Sequence, residues 1–461
     1  MNKAYSFYSK VGGQKILIYV LLIVTLVIMI INFQIYDPIY GYDARDHFYY
    51  IDYFSMYLPD TINFPTIEDS KEFFSPPLPY IVPSTVIIFC RNIIESSNFV
   101  EDCRPYMSKI TQIFQIIIFF LCLYIYTKIA KKLYPKSKEA SGVILLLILL
   151  QTVNYRTFLM IRGEPYILLF QSLILYFLIT KLTEKKDFRL REYFYFGLLI
   201  GLIGLSKQWA FLLFPSYFLI LFFLKEKKAK KEFFRFLVIT FSIGFLIFGG
   251  FYLNLYLESG SPIAFNKEPQ TFNLKNQPLD FYFSFEPNTY LFQNPIRPHY
   301  DNKFFPIIYS DLWGDYWGYF SFILKGWDYG RNQENIGSYL GRVNLVSIIP
   351  TVIYMLGFIS CSKLLLKKNK NEREIFKTLI QLGVAVTFVG YLWFLIKYPE
   401  RPSGDTIKAT YIIQAFHLLA FLGLDYIEKI KEKSIKSYIL ILGALLFVYF
   451  HNIPAMITNY I

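Results

Sequence analysis

The chain has 461 residues, 54% of them hydrophobic and 20% aromatic, with a formal net charge of +13. That positive balance sits in short clusters between apolar runs, where lipid headgroups and topology account for it, which argues against nucleic acid as a partner. The four cysteines, Cys90, Cys103, Cys122 and Cys361, form no Cys-x-x-Cys or Cys/His cluster, which argues against a structural zinc site.

Apolar runs of roughly 16 to 25 residues fill most of the chain, a length that matches the hydrocarbon core of a bilayer. The first, Ile16 to Tyr36, is too long for a signal-peptide core and precedes no small-residue cleavage site, so it reads as a retained helix. A loop follows from Asp37 to about Tyr106. Its segment Asp37 to Pro77 carries eight carboxylates against two basic residues. Within the same loop, Leu78 to Ile94 is short, flanked by polar residues and interrupted by Pro79 and Pro83, and it reads as a helix lying in the interface or re-entering. Cys90 and Cys103 share this side of the membrane and could form a disulfide, although spacing alone favours two separate thiols.

Six basic clusters mark cytoplasmic loops: Lys3 to Lys15, Lys128 to Lys138, Lys181 to Arg191, Lys225 to Arg235, Lys363 to Arg373 and Lys429 to Lys436. Placing all six inside requires an even number of crossings between neighbours. The expected fold is an all-α polytopic membrane protein of about eleven transmembrane helices, with the N-terminus inside and the C-terminus outside. It divides into a transmembrane core over 1–257 that includes the first outer loop (37–106), a long extracytoplasmic loop over 258–342, and C-terminal transmembrane helices over 343–461. The absence of internal repeats weighs against a transporter, many of which are duplicated bundles.

In chain order, the first chemical signal is Gly41-Tyr42-Asp43-Ala44-Arg45-Asp46-His47-Phe48-Tyr49-Tyr50. Asp43, Asp46, His47 and Tyr50 fall at helical spacing on one polar face, and a carboxylate under apolar cover there suits a general base towards a hydroxyl. A solvated amphipathic helix would show the same pattern. The second is Phe74-Ser75-Pro76-Pro77-Leu78-Pro79-Tyr80, where prolines at a helix start are ordinary. Together these motifs resemble the C-type glycosyltransferase superfamily. They come nearest to family 39, the protein O-mannosyltransferases and the aminoarabinose transferases acting on lipid A. The resemblance covers roughly the first 210 residues, continuing through Arg162-Gly163-Glu164-Pro165 and Gly204-Leu205-Ser206-Lys207, and extends to the rest of the chain only in layout.

The resemblance implies a GT-C-like fold with a catalytic first outer loop and transfer of a sugar from a polyprenyl-phosphate donor to a lipid, glycan or protein acceptor. It implies inversion at the sugar and an acceptor deprotonated by Asp43, with Asp46 as the alternative base because Ala44 stands where the family often has glutamate. His47 fits the histidine often found four residues on. Cations at outer helix ends run against the positive-inside bias, so Arg162, Lys207, Arg401 and Lys408 are candidates to match the phosphate charge, while Arg162 with Glu164 reads equally as a ligand pair and as a structural ion pair. Lys408 is three residues before Tyr411, where the family commonly has a basic residue adjoining a tyrosine.

The long loop holds Trp313, Trp317 and Trp327. In Ser310-Asp311-Leu312-Trp313-Gly314-Asp315-Tyr316-Trp317 the favoured reading is an interfacial aromatic belt, with Asp315 as a candidate sugar contact. Asp43, Asp46 and Asp311 or Asp315 offer oxygen ligands for a divalent cation, though no spacing demands one. The four histidines, His47, His299, His417 and His451, form no metal cluster. A transporter or flippase of lipid-linked sugars, or a non-catalytic membrane scaffold, would share this topology. The absence of an Asn-x-Ser/Thr sequon tilts the expected location to a bacterial cytoplasmic membrane over the endoplasmic reticulum.

Overall fold

The computed structural model describes residues 13–58, 60–94, 99–184, 188–293, 295–297, 302–321 and 333–458. Among them every regular element is helical and no strand occurs. Eight helices among the described residues are long and apolar enough to cross a membrane: Gly13–Ile35, Glu101–Leu133, Glu164–Glu184, Lys227–Ser259, Gly337–Leu366, Glu372–Lys397, Ala409–Lys433 and Ile435–Met456. The chain is thus an all-α polytopic integral membrane protein. The 23 residues of Gly13–Ile35 rise about 35 Å, enough to cross the hydrocarbon core. Only 28% of that helix's apolar window is buried, so its remaining apolar surface suits lipid. Ala409–Lys433 is the opposite case. With 89% of its window buried, it runs through the middle of the bundle and carries Lys408 at its start.

Three of the eleven expected crossings fall on shorter pieces. Ala140–Leu149 has 10 residues, all buried, and reaches about 15 Å, half the hydrocarbon core. It stops where Gln151 turns its amide to Tyr354 (3.1 Å) and to the Phe416 carbonyl (3.0 Å), and Val153–Thr157 continues beyond the break. Leu190–Gly204 has 15 residues. Gln208–Phe223 is apolar but alternates 3-10 and α turns around Pro215.

The basic clusters gather at one end of the bundle. Lys132 meets Glu184 at 3.4 Å, Arg373 donates to the Lys132 carbonyl at 3.1 Å, and Lys377 and Lys429 converge on Asp425. Lys3, Lys10, Lys185 and Lys186 lie outside the described residues. At the other end are the two long loops.

The stretch read as interfacial forms the helix Leu78–Arg91. It packs on Ala44–Tyr57, where Tyr80 stacks on Tyr50 at 3.9 Å and Ser84 donates to the Ile51 carbonyl at 3.2 Å. Its far end is fixed by a Cys90–Cys103 disulfide. The spacing argument for two separate thiols is therefore corrected: the chain reverses between Leu78–Arg91 and Phe99–Leu133 and brings the two cysteines together. A second correction concerns the tryptophans. Trp313 is 0% and Trp317 3% exposed, because Phe304–Trp313 and the turn after it pack into the bundle, and Trp317 Nε1 donates to the Ile407 carbonyl at 3.1 Å. They form no belt at the lipid surface. Trp327 lies outside the described residues, as does His299.

Candidate active site

Asp43 is the N-cap of Ala44–Tyr57 and sits in the left-handed region (φ 52°, ψ 21°), which is uncommon for a residue with a side chain although aspartate adopts it more readily than most. Its carboxylate makes no capping bond. Instead Lys408 Nζ lies 3.0 Å from Asp43 Oδ2, and the Asp43 side chain keeps 37% of its surface exposed. Lys408 Nζ is also 3.3 Å from the Tyr411 hydroxyl. Arg162 lies over both the Tyr42 ring (5.4 Å) and the Tyr411 ring (5.6 Å), and it makes a two-pronged pair with Glu164 at 3.1 and 3.2 Å.

One carboxylate fixes this arrangement from behind. Asp311 accepts from the Tyr42 hydroxyl (2.9 Å) and from Arg156 (2.7 Å) on one oxygen, and from the Ala409 amide (2.6 Å) on the other. Tyr42 and Ala409 are the chain neighbours of Asp43 and Lys408, so Asp311 sets the distance between the two site residues. Arg156 and Asp311 are both fully buried.

A second polar cluster adjoins the first. Lys207 Nζ meets Glu72 Oε2 at 2.8 Å and Ser75 Oγ at 2.6 Å, and Ser75 also donates to Glu72. His47 Nδ1 is 2.7 Å from the Tyr80 hydroxyl and 3.8 Å from Glu72 Oε2, while its Nε2, also buried, has no hydrogen-bond partner among the described residues. The two clusters are joined through Gly163. A Cβ there would lie 2.1 Å from the Ser206 carbonyl oxygen, so only glycine lets the Arg162–Glu164 turn press against the Ser206–Lys207 turn. Gly163→Ala is expected to destabilise the protein by about 1–3 kcal/mol, because a backbone atom must move to make room. A lowered midpoint of thermal unfolding in detergent checks this, and an unchanged midpoint refutes it.

The electrostatics follow from the packing. Burial pushes the Asp43 carboxyl up, but Lys408 and Arg162 outweigh that and hold it well below the usual carboxylate range. For His47 burial is the largest influence, and it lowers the imidazole to about 4 despite Glu72 nearby. His47 is therefore neutral near pH 7. The unfolded chain takes up a proton near pH 6.5 that the folded chain refuses until about pH 4, so stability falls as pH drops through that interval. His47→Gln removes this contribution. Between pH 6.5 and pH 4 the unfolding midpoint of wild type is expected to fall more steeply than that of the variant; parallel curves would contradict it.

Of the residues singled out from sequence, Asp43, His47, Arg162, Glu164, Lys207 and Lys408 come together. Asp46 is half-buried one turn along the helix, with no hydrogen bond or ion pair to its carboxylate among the described residues. Burial, opposed by Lys71, holds its carboxyl above the usual range. Arg401 donates to the carbonyls of Lys275 (3.1 Å) and Asn276, which ties it to the long loop. Asp315 is buried, and one of its oxygens accepts from the amides of Phe320 (2.9 Å) and Ser321 (2.7 Å), closing a turn. Of the carboxylates considered for a divalent cation, Asp43 meets Lys408, Asp311 meets Arg156 and Asp315 closes this turn, and among the described residues no group of three or more His, Cys, Asp or Glu is placed to hold a metal. Glu72 and Arg156 were not singled out from the sequence, and Tyr42 and Ser75 stood inside the two motifs without a role of their own. The available signal for Glu72 was a carboxylate directly before the apolar pair Phe73-Phe74. Compared with models of known protein families, with curated proteins and with solved structures, the chain matches none.

Proposed function

We propose that the chain is a membrane glycosyltransferase of the C-type superfamily, nearest to family 39, that moves a sugar from a polyprenyl-phosphate carrier to an acceptor on the extracytoplasmic side. The observation that carries this reading is Asp43: a carboxylate more than a third exposed at a strained helix start, touching Lys408 and beside Arg162. A base and two cations side by side are what such a transfer needs. The acceptor hydroxyl gives its proton to Asp43 as its oxygen attacks the anomeric carbon. The bond from that carbon to the phosphate oxygen breaks, and its electron pair leaves with the polyprenyl phosphate, whose added charge Lys408 and Arg162 match. Asp43 held by Lys408 is a weak base; a phosphate that draws Lys408 towards itself makes Asp43 a stronger one at the moment of need.

The proposed topology has eleven crossings, the three short pieces completing the eight long helices. Two observations support the loop-rich end as extracytoplasmic. The basic clusters lie at the opposite end, and a disulfide at the loop-rich end fits an oxidising compartment. A bacterial cytoplasmic membrane is the favoured location and the endoplasmic reticulum the alternative. A transporter of lipid-linked sugars would draw on the buried polar chain in which Tyr126 meets His417 (2.9 Å) and His417 meets Asn154 (2.8 Å), but those groups satisfy one another.

The test is transfer by the purified protein in liposomes, using radiolabelled polyprenyl-phosphate sugars and acceptors extracted from the native membrane. Label passing to an acceptor supports the proposal. Donors that cross the bilayer without losing their sugar would replace it with the transporter reading.

A further inference from the structure

The long loop carries an apolar surface that the bundle does not cover. Phe272, Leu274, Leu279, Phe283, Phe285 and Phe292 are each between 52% and 76% exposed. They belong to one segment built from the short helices Leu279–Phe283 and Pro287–Phe292 and the chain before them. In Leu279–Phe283 the sidedness is explicit: Phe281 is 0% exposed and packs inward, whereas Leu279 and Phe283 face away. Six large apolar side chains facing water would be a costly surface for any protein.

The position of the segment indicates what covers it. Its base is fixed to the end of Glu372–Lys397, where the Gln270 amide donates to the Lys397 carbonyl (2.8 Å), Asn276 to the Ile396 carbonyl (3.0 Å) and Gln277 to the Leu395 carbonyl (2.7 Å). The outward residues just below, Val389 and Trp393, are exposed apolar positions of a helix long enough to span. On the other side the chain enters the loop from Lys227–Ser259, whose last turns expose Leu253, Tyr256 and Leu257. The apolar surface of the loop therefore begins where the exposed apolar face of Glu372–Lys397 ends, and the chain reaches it from the exposed apolar last turns of Lys227–Ser259.

We infer that the segment over residues 272–292 lies in the bilayer interface at the loop-rich end, its phenylalanine and leucine side chains seated among lipid headgroups and upper acyl chains. It fills the role the sequence suggested for Trp313 and Trp317, which are buried instead. A short amphipathic segment with aromatic residues outward is suited to that layer, where apolar surface leaves water without the backbone having to enter the hydrocarbon core. The inference requires only that the chain is an integral membrane protein and is independent of any glycosyl transfer.

The test uses Leu279→Cys and Phe283→Cys, each labelled with an environment-sensitive fluorophore in full-length protein reconstituted into phosphatidylcholine liposomes. The native thiols do not compete, since Cys122 and Cys361 are buried and Cys90 and Cys103 are joined. Leu246→Cys, on the outer face of a spanning helix, is the deep reference, and Glu68→Cys, on the exposed first loop, is the aqueous one. The expected result is blue-shifted emission, most of it lost to lipids with a nitroxide near the headgroup and little to aqueous iodide, with Leu246→Cys quenched by a deeper nitroxide instead. Quenching by iodide like that of Glu68→Cys would overturn the inference. So would resistance to both quenchers with cross-linking between two copies, which would make the surface a protein contact.

Discussion

Asparagine in place of Asp43 is expected to lower glycosyl transfer by roughly 10²–10⁴-fold, the usual contribution of a positioned general base, while donor binding persists. The substitution keeps the shape and removes the charge. Nothing in the helix start depends on that charge, since Asp43 makes no capping bond, so the protein should fold. Lys408, freed from its 3.0 Å partner, should bind the donor phosphate at least as well as before. Transfer and donor binding measured on the same preparation at matched amount separate the two effects. Transfer that survives in Asp43→Asn would move the base to Asp46 or another carboxylate, Asp46 being the one on the next turn whose carboxyl is raised and has no partner among the described residues.

The largest effect on stability is expected at Arg156. Arg156→Leu leaves the Asp311 carboxylate buried without its guanidinium partner, and breaking a buried pair in this way typically costs about 3–5 kcal/mol. The cost reaches the site, because the same carboxylate holds Tyr42 and the Ala409 amide in register. The double variant Arg156→Leu/Asp311→Leu should lose less than the sum of the two single changes, since it leaves no orphaned charge. Unfolding midpoints of the four proteins close this cycle. Additive losses would show that the pair does not act as a unit.

The sequence made some of this legible and hid the rest for identifiable reasons. Spanning helices announce themselves by length and lack of charge, as Gly13–Ile35 does, and cations at the ends opposite the basic clusters stood out for the same reason. That is why Arg162, Lys207 and Lys408 were found. Arg156 was not, because it follows an apolar run too closely to stand apart from it, and only the break after Leu149 turns it towards Asp311. Glu72 was one of eight carboxylates in its segment, and its place before Phe73-Phe74 marks it for burial without saying that it will meet Lys207. The disulfide and the buried tryptophans share a cause: both depend on how loops fold back over the bundle, which periodicity does not encode.

The ten-residue helix Ala140–Leu149 bears on how the protein is made. It is wholly enclosed, and its neighbours include Ala409–Lys433, which hydrogen-bonds to the turn after it through the Phe416 carbonyl and His417. A ribosome delivers Ala140–Leu149 long before that partner exists. During synthesis this half-length segment, with the arginine that follows it, has neither the reach to hold itself across a bilayer nor its final enclosure. The amino-terminal half is therefore not a module that matures alone. Assembly of the bundle closes only when Ala409–Lys433 inserts through its centre, and a product stalled before Ala409 would present an unfinished core to the membrane's quality-control machinery.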